Sequence, residues 1–268
     1  MKIRESGKPV PLWHSVSVKI TGPDGTVRTE ERPLAAEYSF MLRVSGGPSL
    51  PLTCTPSHLP EFVLGRLLTE NLIRSADDVL EITIDTDQCL ADVLLRDFSK
   101  DCGCSSDSGS GKSPGGSSGK CPGTAPASGQ PLSPDTEQIL LLSSILDLPS
   151  GAPDSLYRLT RSAHSCSLIY RGKPVFTAED LGRHNAVDKA VGHALLKNIP
   201  LPECMLYTTG RMPADMVMKA ARAGVPVLIS RKSPTAEGLL LAEKHGVRLF
   251  GITRGGCVLS YGAKASIS

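Results

Sequence analysis

The sequence predicts an α/β protein, with parallel strands covered by helices and a β-rich part in front of them. Two observations carry that expectation. From Tyr157 onward, short β-branched runs alternate with helical patterns, and such alternation builds strands joined by crossover helices. The runs also read as apolar on both faces, residues 225–229 most clearly, which suits strands buried on both sides.

The N-terminal elements come in this order. Residues 13–20 alternate, with Val16, Val18 and Ile20 on one face, and residues 37–44 form a second strand candidate. Residues 59–73 carry Phe62, Val63, Leu67 and Ile73 near helical spacing, which predicts an amphipathic helix. Residues 79–84 and 89–95 predict a hairpin around Asp85-Thr86-Asp87-Gln88.

A Gly/Ser/Pro tract follows. Between Ser99 and Pro131 there is no aromatic or large aliphatic side chain. Such a stretch buries too little apolar surface to offset its ordering entropy, so it is expected to stay disordered. Residues 134–148, rich in leucine and opened by Asp135, predict a helix.

The C-terminal elements alternate. Strands are expected at 167–170, 204–207, 225–229 and 247–252, and helices at 182–198, 213–223 and 235–245. Proline near the start and glycine just past the end punctuate the last two helices. The expected organisation is a β-rich part over 1–98, a cysteine-bearing loop over 99–133 and an α/β part over 134–268.

Composition narrows the function. Lys and Arg number 29 against 27 Asp and Glu, a net charge of +2, so no bulk attraction to nucleic acid or a membrane surface is expected. Aromatic content of 4% offers no base-stacking platform. The first residues lack a signal-peptide core, and no apolar run is long enough to span a bilayer. A cytoplasmic location with reduced thiols is the expectation. Cys54, Cys89, Cys204 and Cys257 lie in or beside strand-like runs and read as small core hydrophobes. Cys102, Cys104 and Cys121 lie in the tract, where packing does not explain them. Thiols on a swinging arm suit a protein that collects sulfur as a persulfide and delivers it elsewhere. The plainer alternative is a loop whose cysteines do nothing.

Three strand ends carry small polar residues and an arginine: Thr208-Thr209-Gly210-Arg211, Ser230-Arg231-Lys232-Ser233 and Thr253-Arg254-Gly255-Gly256. Ligands of open α/β sheets bind outside the carboxyl ends of the strands, and the arginine fork matches phosphate oxygens. Together they point to a phosphate-bearing, nucleotide-like ligand, with ordinary turns as the alternative. The run from Glu179 to Lys189 is the densest polar constellation. It places His184 and Asp188 on one helix face, either for an external partner or as a solvated helix start. His164 and Cys166, two residues apart, are a candidate site pair.

These residues resemble the FdhD family, the sulfur carriers required for active formate dehydrogenase. The resemblance rests on E-D-L-G-R-H-N-A-V-D-K (179–189), T-T-G-R (208–211), K-A-A-R-A-G-V-P-V-L-I-S-R (219–231) with Pro234-Thr235, and Arg254-Gly255-Gly256. L-G-R-L-L-T-E-N-L-I (64–73) and Ala163-His164-Ser165 also fit. The resemblance implies a cytidine-deaminase-like mixed sheet covered by helices, and a homodimer. It implies a sulfurtransferase that takes sulfur from a cysteine desulfurase and passes it to the bis(molybdopterin guanine dinucleotide) form of the molybdenum cofactor. The apoenzyme of formate dehydrogenase is then a partner.

The family's Cys-x-x-Cys loop corresponds here to Cys102-Gly103-Cys104, one residue shorter. Cys102 is thereby the expected persulfide carrier, with Cys104 or Cys121 as the resolving thiol. The family's cofactor segment falls on Ile252, Thr253, Arg254, Gly255, Gly256 and Cys257. Thr209, Gly210, Arg211, Ser230, Arg231, His184 and His164 complete the expected cofactor-binding set.

Two other readings compete. A non-catalytic chaperone would bind the cofactor without using the loop thiols. A zinc deaminase on the same fold needs His-x-Glu and Pro-Cys-x-x-Cys, but His164 is followed by Ser165-Cys166 and the chain has no Cys-x-x-Cys. A loose metal site on the tract cysteines lacks tight ligand spacing, and no dedicated metal is expected.

Overall fold

The computed structural model describes residues 1–96, 155–253, 255 and 257–262. The tract with Cys102, Cys104 and Cys121, the expected helix over 134–148, and Arg254 and Gly256 lie outside the described residues.

The N-terminal part runs β1 (Lys2–Ser6), β2 (Trp13–Thr21), β3 (Val27–Ala35), β4 (Tyr38–Val44), β5 (Ser49–Cys54), α1 (Leu59–Thr69), β6 (Val79–Asp85) and β7 (Leu90–Leu95). The C-terminal part runs α2 (Leu156–Thr160), β8 (His164–Tyr170), β9 (Lys173–Asp180), α3 (Arg183–Leu196), β10 (Cys204–Thr208), α4 (Ala214–Arg222), β11 (Val227–Ser230), α5 (Ala236–His245), β12 (Arg248–Ile252) and β13 (Val258–Tyr261). The expected hairpin of β6 and β7 and the alternation β10-α4-β11-α5-β12 are both present. Sequence reading did not give β1, β3, β5, β9 or β13. It also ran α1 on to Ile73. The chain leaves the helix at Asn71, whose φ of 62° is tolerated by asparagine and breaks the helical path.

Two larger sheets result. The first has the order β1-β6-β7-β4-β5 and the second β13-β12-β11-β10-β8-β9, while β2 and β3 form a separate antiparallel ribbon. In the second sheet β10, β11 and β12 are parallel, and the flanking pairs are antiparallel. Alternation sets the faces of the first sheet: Tyr38, Phe40, Leu42 and Val44 of β4 are buried and the residues between them are exposed. The second sheet is apolar on both faces. Leu168, Leu206, Leu228 and Leu249 join the main core, whereas Ile169, Met205, Tyr207, Val227, Ile229, Phe250 and Ile252 form a buried cluster of their own.

The main core is continuous between the two sheets. It includes Phe62, Leu64 and Leu67 of α1 and Val187, Ala190 and Val191 of α3. α1 packs on β6 and on α3, and α3 in turn packs on β8, β9 and β10. The two helices meet at glycines. A Cβ on Gly65 would collide with the carbonyl oxygen of Asp188, and one on Gly192 with that of Glu61. With no side chain at either crossing point, backbone lies directly on backbone.

Gly192→Ala therefore has to push α1 and α3 apart, because the obstructing atom is backbone. We expect a loss of about 3 kcal/mol, the upper end for overpacking, measured as a lower urea midpoint at unchanged m-value. Ala194→Gly, on the same helix, removes a fully buried methyl but forces no backbones apart, and is expected to cost less, about 2 kcal/mol from helix propensity and lost burial together.

Candidate functional site

The second sheet gathers its polar residues at one edge. Thr208, Ser230 and Gly251 are register partners, so β10, β11 and β12 end side by side. β8 runs antiparallel and begins at this same edge, with Cys166 paired to Thr208. β9 ends there too, with Asp180 opposite His164. α3, α4 and α5 all start from the edge, at Arg183, Ala214 and Ala236.

The loop after β10 is tied down by hydroxyls. Ser165 N donates to Thr209 Oγ1 at 2.9 Å, and Gly210 N to Thr208 Oγ1 at 3.1 Å. Ser230 Oγ donates to the Gly210 carbonyl at 2.6 Å and accepts from Lys232 N at 2.9 Å. Ser230 is fully buried, so its side chain shapes the loop from within. Thr253 Oγ1 accepts from Cys257 N at 3.0 Å and closes the turn after β12. α5 is capped by Thr235, whose Oγ1 accepts from Gly238 N at 3.1 Å.

Above this frame sits a cationic group. Gly210 lets Arg183 lie against the loop: a Cβ there would fall 2.8 Å from Arg183 Cβ and 2.9 Å from its Cδ. Arg183 Nε is buried without a hydrogen-bond partner among the described residues. His164 Nδ1 lies 3.5 Å from Thr209 Oγ1. His184 Nε2 lies 2.8 Å from Asp215 Oδ2, outside hydrogen-bond geometry. Burial, then the charge of Arg183 and the proximity of His184, holds His164 below the usual histidine range. Burial also lowers His184, with Asp215 pulling upward and Arg183 and Lys219 adding to the downward push.

The run from Glu179 to Lys189 is largely spent inside the protein. Asp180 and Lys189 form an ion pair at 2.6 Å with both side chains fully buried. Lys189 also donates to the Thr55 carbonyl at 3.0 Å, and Asp180 accepts from Thr55 N at 3.0 Å and Gly182 N at 2.9 Å. Asp188, also fully buried, pairs with Lys219 of α4 at 2.8 Å and accepts from Thr69 of α1 at 2.7 Å. Glu179 takes the Leu156 N–H at 2.6 Å and the Ser155 hydroxyl at 2.7 Å, anchoring the start of α2. The expectation that His184 and Asp188 share a face offered to a partner, or to solvent, is therefore corrected: only His184 remains at the edge.

Other expected residues divide. Thr209, Gly210, His164, His184, Thr253 and Gly255 stand at the edge. Arg211 is exposed, and so is Arg231, whose charge partly offsets the upward push of burial on the Tyr207 hydroxyl. Ile252 is buried in the second apolar cluster. Cys54 and Cys204 are core residues as expected, but Cys89 and Cys257 are exposed. Cys89 occupies the tight turn before β7 with φ 52° rather than the strand itself, and Cys257 follows the turn after β12. The pairing of His164 with Cys166 fails as a reactive couple: Cys166 is fully buried and burial raises its thiol far above the ordinary range. Sequence spacing did not single out Arg183 or Asp215. The signal for Asp215 was a first-turn acid on the helix beginning beside the Thr-Thr-Gly-Arg loop.

The FdhD/NarQ family profile matches residues 35–268. The chain belongs to that family. FdhD sulfur carrier proteins similar to it include those of Bacillus pumilus, 30% identical over 250 residues (86% of this chain and 87% of the relative), and Nocardia farcinica, 32% identical over 260 residues (89% and 88%). Another, from Methanothermobacter thermautotrophicus, is 31% identical over 221 residues, covering 82% of this chain and 85% of that one. Among solved structures, one described as a formate dehydrogenase accessory protein from Desulfotalea psychrophila superposes with a TM-score of 0.73 at 27% identity, covering 94% of this chain and 98% of that one.

In this FdhD-family chain, the buried Asp188–Lys219 pair yields a test that separates scaffold from site. Asp188→Asn leaves the buried Lys219 ammonium with the partly exposed Glu70 carboxylate at 3.2 Å as its remaining counter-charge among the described residues, and takes a partner from Arg66 as well, and we expect a loss of about 3 kcal/mol. Adding Lys219→Met is expected to recover much of it, because an apolar replacement removes the uncompensated charge. Urea denaturation of the two single variants and the double variant measures this coupling. Equal and additive losses would show that the pair does not act as a unit.

Proposed function

We propose that this chain carries sulfur as a cysteine persulfide from a cysteine desulfurase to the molybdenum cofactor in its bis(molybdopterin guanine dinucleotide) form, for formate dehydrogenase. Membership of the FdhD family and the printed names of its relatives support the sulfur-carrier part. The observation that carries the cofactor part is the shared edge of β10, β11 and β12, where the Thr209-Gly210, Ser230-Arg231 and Thr253-Gly255 segments come side by side with His164 and His184. Phosphate and guanine groups of the cargo lie across this edge in our reading, with Arg211 and Cys257 flanking; Arg254 and Gly256, outside the described residues, belong to the same expected set. A cytidine-deaminase-like classification, a homodimer and a cytoplasmic location belong to the same reading.

The chemistry asks for few parts. The thiolate of Cys102 attacks the outer sulfur of the desulfurase persulfide; the S–S bond breaks and the desulfurase thiolate leaves. Lys100, two residues before it in sequence, favours the thiolate by charge. Cys104 or Cys121 as thiolate then attacks the inner sulfur of the Cys102 persulfide, freeing hydrosulfide for the cofactor. The disulfide left behind is reduced by a dithiol in a later step.

Cys102→Ala is expected to abolish sulfur loading and formate dehydrogenase maturation, read by mass spectrometry after incubation with desulfurase and cysteine. Full maturation by that variant would return the reading to a chaperone that only binds the cofactor. Hydrogen exchange is expected to slow at residues 208–211 and 230–232 when guanosine diphosphate is added. Protection confined to the first hundred residues would move the cofactor off this edge.

A further inference from the structure

The strand-end edge holds more positive charge than its own acids neutralise locally. Arg183 is laid against Gly210 at the first residue of α3, and its Nε has no hydrogen-bond partner among the described residues. Two histidines flank it. The acids nearby are largely committed: Asp180, the register partner of His164, is paired with Lys189, and Asp188 with Lys219. Among the described residues Asp215 is the acid that faces the group, at 2.8 Å from His184 Nε2, and its other oxygen accepts from Met216 N at 2.8 Å.

We propose that Arg183, His164 and His184, with Asp215 as counter-charge, form a proton-coupled seat for a phosphate group. Arg183 binds the anion, and the histidines take up protons as it arrives. This deepens the reading of the edge as the cofactor-binding site and rests on it.

The argument is one of mutual charge. The groups facing His164 are Arg183 and His184, and the Thr209 hydroxyl. Those facing His184 are Asp215 and Lys219 from α4, and Arg183 beside it. Each histidine is held neutral in part by the arginine, and burial does the rest. A phosphate at Arg183 reverses that sign. It cancels the guanidinium charge and adds negative charge beside both rings, which favours their protonated forms. Each protonated ring then returns a charge-assisted contact to the anion. Anion affinity rises as pH falls through the histidine range, and anion binding draws protons from solution. Asp215 biases His184 toward the proton.

The test uses the full chain with guanosine diphosphate as probe. Titration calorimetry near pH 7 in two buffers of different ionisation enthalpy counts the protons taken up. We expect uptake of about one proton per ligand, since unperturbed histidine titrates near 6.5. NMR titration of the histidine rings is expected to show the pKa values of His164 and His184 rising on saturation. Arg183→Gln is expected to weaken binding tenfold or more and to abolish the ligand-induced rise. Asp215→Asn is expected to move the His184 transition to lower pH in the free protein.

Guanosine diphosphate that protects the strand ends, yet binds without proton uptake and leaves both histidines unmoved, overturns the seat while the site reading survives. Protection elsewhere, or no binding, overturns both. If Arg183→Gln proves unfolded by circular dichroism, the histidine titration of the unaltered chain decides alone.

Discussion

The close approach of α1 to α3 is the constraint on which the rest of the structure depends. Gly65 and Gly192 bring two backbones into contact, and that contact lies in a core continuous from one sheet to the other. Everything at the functional edge is measured from α3. Its first residue is Arg183, its second His184, and its middle carries the Asp188 and Lys189 that bind other elements. A helix of 14 residues is about 21 Å long, so its crossing angle at Gly192 sets where its N-terminal side chains stand. The glycines place the site although they lie away from it.

The buried ion pairs complete that placement. Lys189 reaches back to the turn after β5 through Thr55 and Ser57, and Asp188 reaches Thr69 on α1 and Lys219 on α4. Such pairs contribute little net stability, because desolvation offsets most of the attraction. Their value is directional: a charge buried without its partner is costly, so alternative dockings of α1, α3 and α4 are disfavoured. A motif dense in charge is thus mostly internal wiring, and the part left for a ligand is small.

Much of this was legible in the sequence, for identifiable reasons. β10, β11, β12 and the helices between them announced themselves because buried strands are continuous apolar runs and the helices carry their own stops. The strand ends followed from topology. β3 was hidden because it is charged along its length and holds Pro33, its ribbon being solvated on most positions. β9 opens with Lys173-Pro174 and β13 is a short edge strand, so neither shows an apolar pattern. The roles of Asp180, Asp188 and Lys189 were not readable either, since spacing along one helix does not reveal partners on other elements: Lys219 on α4, and Thr55 and Thr69 more than 100 residues away. For the same reason Ser230 and Thr208 read as ligand groups although their hydroxyls are internal fastenings.

The proposed sulfur chemistry must also keep sulfur off the wrong thiols, and this chain has eight cysteines. Three of those in the described residues are held protonated chiefly by burial, with a nearby acid adding to it in each case. Cys54 and Cys204 have thiols pushed up to about 12, Cys54 despite the nearby Lys189 charge, and Cys166 is pushed higher still. A thiol held protonated is a poor nucleophile towards a persulfide. These three become reactive only when the sheets open, so the folded state itself acts as a chemoselectivity filter. Proofreading of the cargo's address is then a by-product of packing, maintained for as long as the core stays closed.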